Sequence, residues 1–503
     1  MITESLAITS ERTTSRHALL NDIFYEGSAG EYKQAIEQAR EAVLHFLENN
    51  TQPFSGVKPA TMKAAVAAVN LEAPLQNYEE LIAEVHDLYI QHATAFHLPQ
   101  YIAHLNCPVV IPALAAEVII SAVNSSQDTY DQSAGGTFIE RRMVDWTCEQ
   151  LGFGNLGDGI FTGGGSQSNL MGLLLARDHF ALRTDGVNIK KDGLPPNAQR
   201  YRIFVADTAH FSNQKNASLM GLGEQAVIKV KTDQRFRMDT AALRQAIETE
   251  LAAGNIPIAI VATAGTTDFG NIDPLREIAA LATYYQLWMH VDAAYGCGLL
   301  LSSKYRHRLN GIELADSVTV DYHKSFFQPI SSSAFLVKEK DTLKIVQHHA
   351  DYLNPAEQDY EELPAQINKS ITQSTRRFDA LKLWCTLRLM GKEQLGIYTD
   401  MMIETTAATA ALLQQEEDFE LLSDSDLGVL VFRFAPARGI ADLSALNLSI
   451  KKSLFFDGTI QVASTKVKGE FYLKFTILNP LTTVAHTRDI LEAIKTRGFE
   501  LIG

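Results

Sequence analysis

The segment IPIAIVATAGTTDFGNIDPLREIAALATYYQLWMHVDAAYG (residues 256–296) decides the fold. It opens with the apolar run IPIAIVATAG and closes with the apolar run LWMHVDAA, and the stretch between them has the apolar spacing of a helix. Asp273 is expected to cap this helix and Pro274 to occupy its first turn. Two buried strands joined by a helix form a βαβ crossover unit, which predicts a parallel pair of strands.

The same alternation extends on both sides of this segment, from about residue 150 to 340, with the strand-like runs YRIFVA, SVTVDY and SAFLVK. It predicts an α/β fold with a mostly parallel central sheet covered by helices on both faces. Apolar residues at helical spacing predict a helical N-terminal segment, and short strands between helices predict a small α+β domain at the other end. The predicted domains are residues 1–100, 101–389 and 390–503.

The composition excludes several classes of protein. Of the 503 residues, 46% are hydrophobic and 20% are charged, which is typical of a folded chain. The net charge of −15 argues against nucleic acid as a partner. Four scattered cysteines predict neither a disulfide framework nor a zinc site, and His348 and His349 are expected to be polar residues of a surface helix. Without a signal-like N-terminus or a long apolar run, the sequence predicts a cytoplasmic protein with no membrane contact and no metal.

Chemically useful residues follow the predicted strands, where ligands of open α/β sheets bind. GIFTGGGSQSNLMGLLLAR (159–177) places three glycines before a helix, which indicates either a phosphate cradle or a tight turn without a ligand. His210 follows YRIFVA, Asp292 emerges from the apolar strand of LWMHVDAA beside two alanines, and His323 and Lys324 follow SVTVDY. A buried aspartate is costly unless it is paired, so Asp292 needs a cationic partner.

Pyridoxal 5′-phosphate (PLP) would use all four places. Its phosphate would lie on the Gly-Gly-Gly-Ser turn, and its protonated ring nitrogen would pair with Asp292. His210 would stack on the ring, and Lys324, with a lowered pKa, would attack the cofactor's carbonyl.

Several motifs resemble one family of PLP enzymes. HVDAAYG, LNGIELADS, ATAGTTDFGNID, STRRFDALKLW and a His-Lys pair following the aspartate closely resemble the group II PLP-dependent amino-acid decarboxylases, over residues 100 to 390. The resemblance implies the fold-type I, aspartate aminotransferase-like architecture and a homodimer with the active site at the subunit interface. It also implies that Lys324 is the Schiff-base lysine, Asp292 the partner of the ring nitrogen and His210 the stacking residue. The remaining cofactor residues that it implies are Gly164, Gly165, Ser166, Thr267, Ala294 and His323.

The final proton donor is left open by the sequence. After carbon dioxide leaves, a proton must return to Cα, and the family often supplies it from a tyrosine on a loop before the RRF motif. LPAQINKSITQSTRRF (363–378) contains no tyrosine. Lys369, His210 and Tyr360 are the candidates.

The resemblance also bears on the substrate. NSSQDTYDQSAGG (124–136) corresponds to the segment that enters the neighbouring subunit's pocket, and Asp128 in it either binds a distal cation of the substrate or caps the next helix. The motifs most resemble the diamino-acid decarboxylases of siderophore and polyamine pathways, which favours decarboxylation of L-lysine to cadaverine. The alternative is L-2,4-diaminobutyrate giving 1,3-diaminopropane, followed by ornithine, glutamate or an aromatic amino acid. The predicted substrate contacts are His104, Asn106, Asp128, Gln132 and Arg377.

Other classes of function compete with this interpretation. An aminotransferase would need an arginine clamp for the α-carboxylate. Arg376 and Arg377 either bind that carboxylate or only brace their loop. A non-catalytic scaffold would be expected to have lost Lys324, Asp292 or His210, and a nicotinamide dehydrogenase is suggested by the glycine run alone.

Overall fold

The computed structural model describes residues 20–357, 362 and 364–503. Within these residues the strands are β1 (Tyr101–Ile102), β2 (Asp158–Thr162), β3 (Tyr201–Ala206), β4 (Val227–Val230), β5 (Ile256–Thr263), β6 (Trp288–Asp292), β7 (Ser317–Val320), β8 (Ser333–Val337), β9 (Phe419–Ser423), β10 (Val429–Phe434), β11 (Gln461–Val467) and β12 (Glu470–Thr476). The α-helices are α1 (Ala29–Asn49), α2 (Pro59–Ala67), α3 (Tyr78–Leu88), α4 (Ile111–Val123), α5 (Ala134–Leu151), α6 (Gly165–Phe180), α7 (Ile189–Asp192), α8 (Ser212–Leu219), α9 (Thr240–Ala252), α10 (Leu275–Tyr285), α11 (Tyr322–Ser325), α12 (Ala380–Gln415), α13 (Leu443–Phe456) and α14 (Val484–Ile502).

A seven-stranded sheet with the order β2-β8-β7-β6-β5-β3-β4 forms the centre of the fold. The neighbours from β7 across to β4 pair in parallel, and β8 runs antiparallel to both β7 and β2. β5 pairs in parallel with β6 and α10 joins them, so the predicted crossover unit is confirmed. The strands are almost entirely buried, as expected for a sheet covered on both faces.

One detail of the crossover was predicted wrongly. Asp273 does not cap α10, and Pro274 lies at the cap position before the first helical residue. The Asp273 carboxylate instead accepts the backbone N–H of Met238 and that of Thr263, each at 2.7 Å. Burial raises the pKa of this carboxyl to about 6. Asp273 therefore holds strand β5 to the connection before α9 rather than starting a helix.

A smaller five-stranded sheet has the order β1-β11-β12-β10-β9, with antiparallel pairing between β11 and β12, β12 and β10, and β10 and β9. α12 precedes β9 and is interrupted at Gly391, whose φ of +77° lies in the left-handed region. No helix in the described ranges is both long and apolar enough to cross a membrane.

The chain divides into two compact units, one of residues up to Gln100 with Lys452–Gln461, and one of Tyr101–Lys451 with Val462–Gly503. In the first unit Phe54 stacks on Phe455 at 4.5 Å between ring centroids. The second unit contains both sheets. The domain boundaries at residues 100 and 389 remain a proposal.

The histidine pair does not lie on a surface helix, so that prediction is wrong. His348 and His349 follow a 3-10 turn at Lys340–Ile345 in an irregular segment, and the ring of His349 contacts the backbone oxygen of Asn354 at 3.2 Å. In the part of the chain that the structure describes, no three ligating side chains are grouped to hold a metal ion.

Candidate active site

A cavity of about 560 Å³ lies beyond the carboxyl ends of β2, β5, β6 and β7. All nine residues that the sequence predicts around the cofactor line it. These residues are Gly164, Gly165, Ser166, His210, Thr267, Asp292, Ala294, His323 and Lys324. Sequence reasoning missed several others in the lining, which are Gln167, Asn169, Thr263, Asp321 and Gln373. The structure therefore brings the four predicted places together in one cavity.

Lys324 lies on α11, the single helical turn that follows β7. Its Nζ is 3.0 Å from Asp321 Oδ2, and Ser333 Oγ donates a hydrogen bond to the other oxygen of Asp321 at 2.5 Å. Burial acts to lower the pKa of Lys324, but the charges of Asp321 and Asp292 outweigh it and raise the pKa above its usual value. The prediction of a lowered pKa is wrong for this arrangement, because Asp321 was not identified from the sequence.

Asp292 ends β6 and is 6% exposed. Asn169 Nδ2 from α6 donates to its Oδ2 at 2.8 Å, and the backbone N–H of Ala294 donates to its Oδ1 at 3.1 Å. Both donors are neutral. The carboxylate is thus hydrogen-bonded within the described residues, yet it faces the cavity without the close cation that a buried charge needs.

A glycine turn leads from β2 into α6. A Cβ atom added to Gly165 would lie 3.0 Å from Asp321 Oδ2 and 3.3 Å from Ala294 Cβ, so a larger residue here would press on two residues that line the cavity. Free backbone N–H groups at the start of a helix favour an anion. Ser166 follows Gly165 in the lining, and His323 Nε2 lies 3.7 Å from the same Asp321 oxygen. This arrangement suits a phosphate group.

Two further polar residues complete the lining. His210 contacts Ser212 Oγ through Nδ1 at 2.9 Å, and burial lowers its pKa, which favours a neutral imidazole. The Thr263 hydroxyl is buried and has no hydrogen-bond partner among the described residues. Because buried hydroxyl groups are normally satisfied, a ligand in the cavity is expected to reach it.

The predicted substrate contacts lie elsewhere in the chain. None of the five lines the cavity of its own chain. Asp128 is nevertheless buried, with one oxygen 3.5 Å from Thr375 Oγ1 and the other without a hydrogen-bond partner in the described ranges. Burial lowers the pKa of His104, with smaller contributions from two lysines. Asn106 accepts a hydrogen bond from the Tyr101 hydroxyl at 3.1 Å, and Gln132 donates to Thr129 at 3.2 Å.

Both arginines of the RRF motif pair with carboxylates of the same chain. Arg376 is buried with Glu140 at 2.8 Å, and its Nη2 donates to the backbone oxygen of Gln127 at 2.8 Å. Arg377 pairs with Glu117 and, at 3.0 Å, with Asp379. These contacts support the bracing alternative, and a substrate contact by Arg377 stays a prediction.

The three candidate proton donors are placed differently. Lys369 Nζ lies 2.7 Å from Asp158 Oδ1 and does not line the cavity. Tyr360 lies outside the described residues. His210 faces the cavity, and from the segment around Lys369 it is Gln373 that reaches the lining.

Comparison with known proteins identifies the class of protein. A sequence model of the family described as "Pyridoxal-dependent decarboxylase conserved domain" matches residues 59–435, so the chain belongs to this family. It is a PLP-dependent amino-acid decarboxylase, a lyase of fold-type I, and the cavity's carboxylate, lysine and glycine turn fit its cofactor.

Two relatives that are at least 35% identical to the chain are named for the same substrate. The chain is 35% identical to L-2,4-diaminobutyrate decarboxylase from Acinetobacter baumannii, over 93% of this chain and 92% of that one. It is 39% identical to L-2,4-diaminobutyrate decarboxylase from Rhizobium meliloti, over 84% and 82% of the two chains. A crystal structure of the glutamate decarboxylase domain of diaminobutyrate-pyruvate transaminase and L-2,4-diaminobutyrate decarboxylase from Vibrio parahaemolyticus matches with a TM-score of 0.86 and 37% identity, over 95% of this chain and 97% of that chain.

Proposed function

We propose that the enzyme decarboxylates L-2,4-diaminobutyrate and releases 1,3-diaminopropane and carbon dioxide. The observation that carries this proposal is the similarity to two decarboxylases named for that substrate, over at least four fifths of each chain. The sequence favoured L-lysine, but the relatives reported above give no support to lysine or to a siderophore pathway. Both substrates carry a distal ammonium group, so the predicted class of basic diamino acid is retained.

The lining residues suggest how the cofactor is held. Lys324 would bind the cofactor covalently through Nζ, Asp292 would pair with the ring nitrogen, and the N–H groups at Gly164 and Gly165 would bind the phosphate. PLP supplies a ring that takes up the electrons released when the carboxylate leaves as carbon dioxide. Asp292 keeps the ring nitrogen protonated, because a nearby negative charge favours the charged form of a base. His210 would lie against the ring.

Asp128 is the proposed contact for the distal ammonium group. One of its oxygens is buried and has no partner in the described ranges, which is costly for a carboxylate unless a cation completes it. Its backbone is fixed, because Ile367 N–H donates to Asp128 O at 3.0 Å. Since Asp128 does not line the cavity of its own chain, we place the contact in the cavity of a second copy of this chain, which requires the buried side chain to turn outward when the two copies associate.

A substrate panel tests the proposal. Purified PLP-loaded enzyme is given L-2,4-diaminobutyrate, L-ornithine, L-lysine, L-glutamate or L-tyrosine. The rate of carbon dioxide release at several concentrations gives kcat/KM for each substrate. The highest value is expected for L-2,4-diaminobutyrate, and Lys324→Ala serves as the inactive control. A higher kcat/KM for L-lysine than for L-2,4-diaminobutyrate would contradict the proposal and support L-lysine, the substrate that the sequence favoured. If kcat/KM were highest for L-glutamate or L-tyrosine, the substrate would not be a basic diamino acid.

A further inference from the structure

One face of β6 carries a line of polar side chains. Trp288, His290 and Asp292 are alternate residues of this strand, so their side chains point to the same side of the sheet. In the parallel pairing with β7, His290 lies opposite Ser317 and Asp292 lies opposite Thr319. α6 covers this face. The line therefore runs through the sheet to the cavity, where it ends at Asp292.

The hydrogen bonds along this line all point the same way. Asn169 Oδ1 can only accept, so His290 Nε2, which lies 3.0 Å away, carries the ring hydrogen and donates it. Nδ1 of the neutral ring therefore accepts from the Ser317 hydroxyl at 2.8 Å, and Ser317 Oγ in turn accepts from Trp288 Nε1 at 2.9 Å. Asn169 Nδ2 donates to Asp292 Oδ2 at 2.8 Å. Each donor faces toward the carboxylate.

The imidazole in the middle of the line is tightly held. His290 is fully buried, and burial lowers its pKa to about 4, so the ring is neutral and has one donor and one acceptor nitrogen. A Cβ atom on Gly172 of α6 would lie only 2.5 Å from His290 Nδ1. Thr319 Oγ1 also donates to Asn169 Oδ1, at 2.7 Å, and so fixes the amide. The ring therefore packs directly against α6, and the hydrogen bonds on both sides of the Asn169 amide fix its orientation.

We propose that Trp288, Ser317, His290 and Asn169 form a polarised hydrogen-bond line whose function is to hold Asp292 ionised and oriented toward the cofactor's ring nitrogen. Hydrogen bonds donated to a carboxylate favour its charged form, and bonds aligned in a chain strengthen one another. His290 and Asn169 are positioning residues, because they act through Asp292. The proposal rests on the family's cofactor and is independent of which amino acid the enzyme decarboxylates.

The main test compares two substitutions of His290. His290→Gln keeps an amide N–H that can donate to Asn169, whereas His290→Leu removes both ring nitrogens. PLP is titrated into cofactor-free enzyme to obtain its dissociation constant, and the pH midpoint of the visible cofactor absorbance is measured on loaded enzyme. We expect about tenfold weaker PLP binding and a shifted midpoint for His290→Leu, with most of both properties retained in His290→Gln.

A purely structural role predicts a different outcome, in which both variants lose thermal stability but bind PLP like the wild type. That outcome, or equal losses of PLP affinity in the two variants, would overturn the proposal. Trp288→Phe covers the case in which His290→Leu fails to fold, because it removes only the donor farthest from the cavity. It is expected to weaken PLP binding by about threefold. Its matched control is Trp146→Phe, whose ring packs on Phe326 outside the line, and an equal effect in both tryptophan variants would also contradict the proposal.

Discussion

Asp128 combines burial with an incomplete set of partners, and this makes it the most informative residue for substrate binding. If it contacts the distal ammonium group, Asp128→Asn removes the charge while it keeps the shape. We expect KM for L-2,4-diaminobutyrate to rise about tenfold or more, which corresponds to about 1.4 kcal/mol. The measurement is carbon dioxide release over a range of substrate concentrations.

The same segment offers a matched control. Asp131 is exposed and its carboxylate accepts a hydrogen bond from Thr129 Oγ1 at 2.5 Å. Asp131→Asn removes an equal charge three residues away and should leave KM unchanged. An unchanged KM in Asp128→Asn, or an equal rise in both variants, would show that Asp128 does not contact the substrate.

The buried imidazole of His290 should make the folded protein sensitive to acid. Its pKa is lowered to about 4, whereas an unfolded histidine has a pKa of about 6.5, so the unfolded chain binds more protons between these values. The free energy of unfolding therefore falls as the pH falls through this window, by up to about 1.4 kcal/mol per pH unit from this residue. Urea unfolding at pH 7, 6 and 5 should show a smaller decline for His290→Gln than for the wild type.

Other buried histidines contribute to the same decline. Burial lowers the pKa of His210 and of His323, so both also oppose protonation in the folded state. His290→Gln should therefore reduce the acid sensitivity without removing it. Identical slopes in the wild type and the variant would mean that His290 does not remain neutral in the folded protein.

At the residue scale, the sequence showed the charged members of the site and missed their partners. Asp292 and Lys324 stand at the ends of predicted strands, where chemistry is expected in an open sheet. Asp321 lies only three residues before Lys324, but it was missed because an aspartate next to a strand end is common and the helical turn that pairs the two side chains was not predicted. Asn169 lies inside a helix, and tertiary packing decides that its side chain faces β6. The alternation of Trp288, His290 and Asp292 was the one sequence signal that polar partners of Asp292 lie on the same face of β6.

Among the elements, the turn before α6 has little room for a larger residue. A Cβ atom on Gly165 would press on Asp321 and Ala294, with 3.0 Å to Asp321 Oδ2, so Gly165→Ala must displace part of the phosphate end of the cavity. We expect PLP to bind about tenfold more weakly to this variant. Titration of the cofactor-free protein with PLP measures the loss.

Gly30 in α1 provides the control for that substitution, because a Cβ atom there would meet no atom within 4 Å. Gly30→Ala should bind PLP as tightly as the wild type. If Gly165→Ala also retains wild-type affinity, the turn is not the phosphate cradle.

Element types were predicted more reliably from the sequence than element ends. The period of the apolar residues identified β5, α10 and β6, because that period reflects which faces are buried. The start of α10 was predicted wrongly, since a local capping rule cannot anticipate that Asp273 binds two backbone N–H groups of other elements. The antiparallel direction of β8 also depends on pairing that the apolar pattern does not reveal.

For the whole molecule, the predicted homodimer with a shared site can be tested directly, because Asp128 lies outside the cavity of its own chain. Mixed dimers of Lys324→Ala and Asp128→Asn subunits test it. If Lys324 of one subunit works with Asp128 of the other, each mixed dimer contains one site with both native residues, and activity with the wild-type KM should reappear on mixing. Carbon dioxide release at low substrate concentration measures this recovery.

The same mixing experiment can contradict the shared site. If both residues served the cavity of one chain, every site in a mixed dimer would carry a substitution, and no activity with the wild-type KM would return. Light scattering on the mixture and on each parent confirms whether dimers form and exchange. A monomeric wild-type enzyme with full activity would contradict the proposed interface directly.

The division between sheet and connections has an evolutionary consequence. Asp292 and the line behind it are fixed by strand pairing, where a slip of one residue would turn every side chain to the opposite face. Asp128 lies in a connection between helices, which can accept substitutions without disturbing the ladder. Selection can thus exchange one amino-acid substrate for another by altering connections, while the inherited decarboxylation chemistry stays intact.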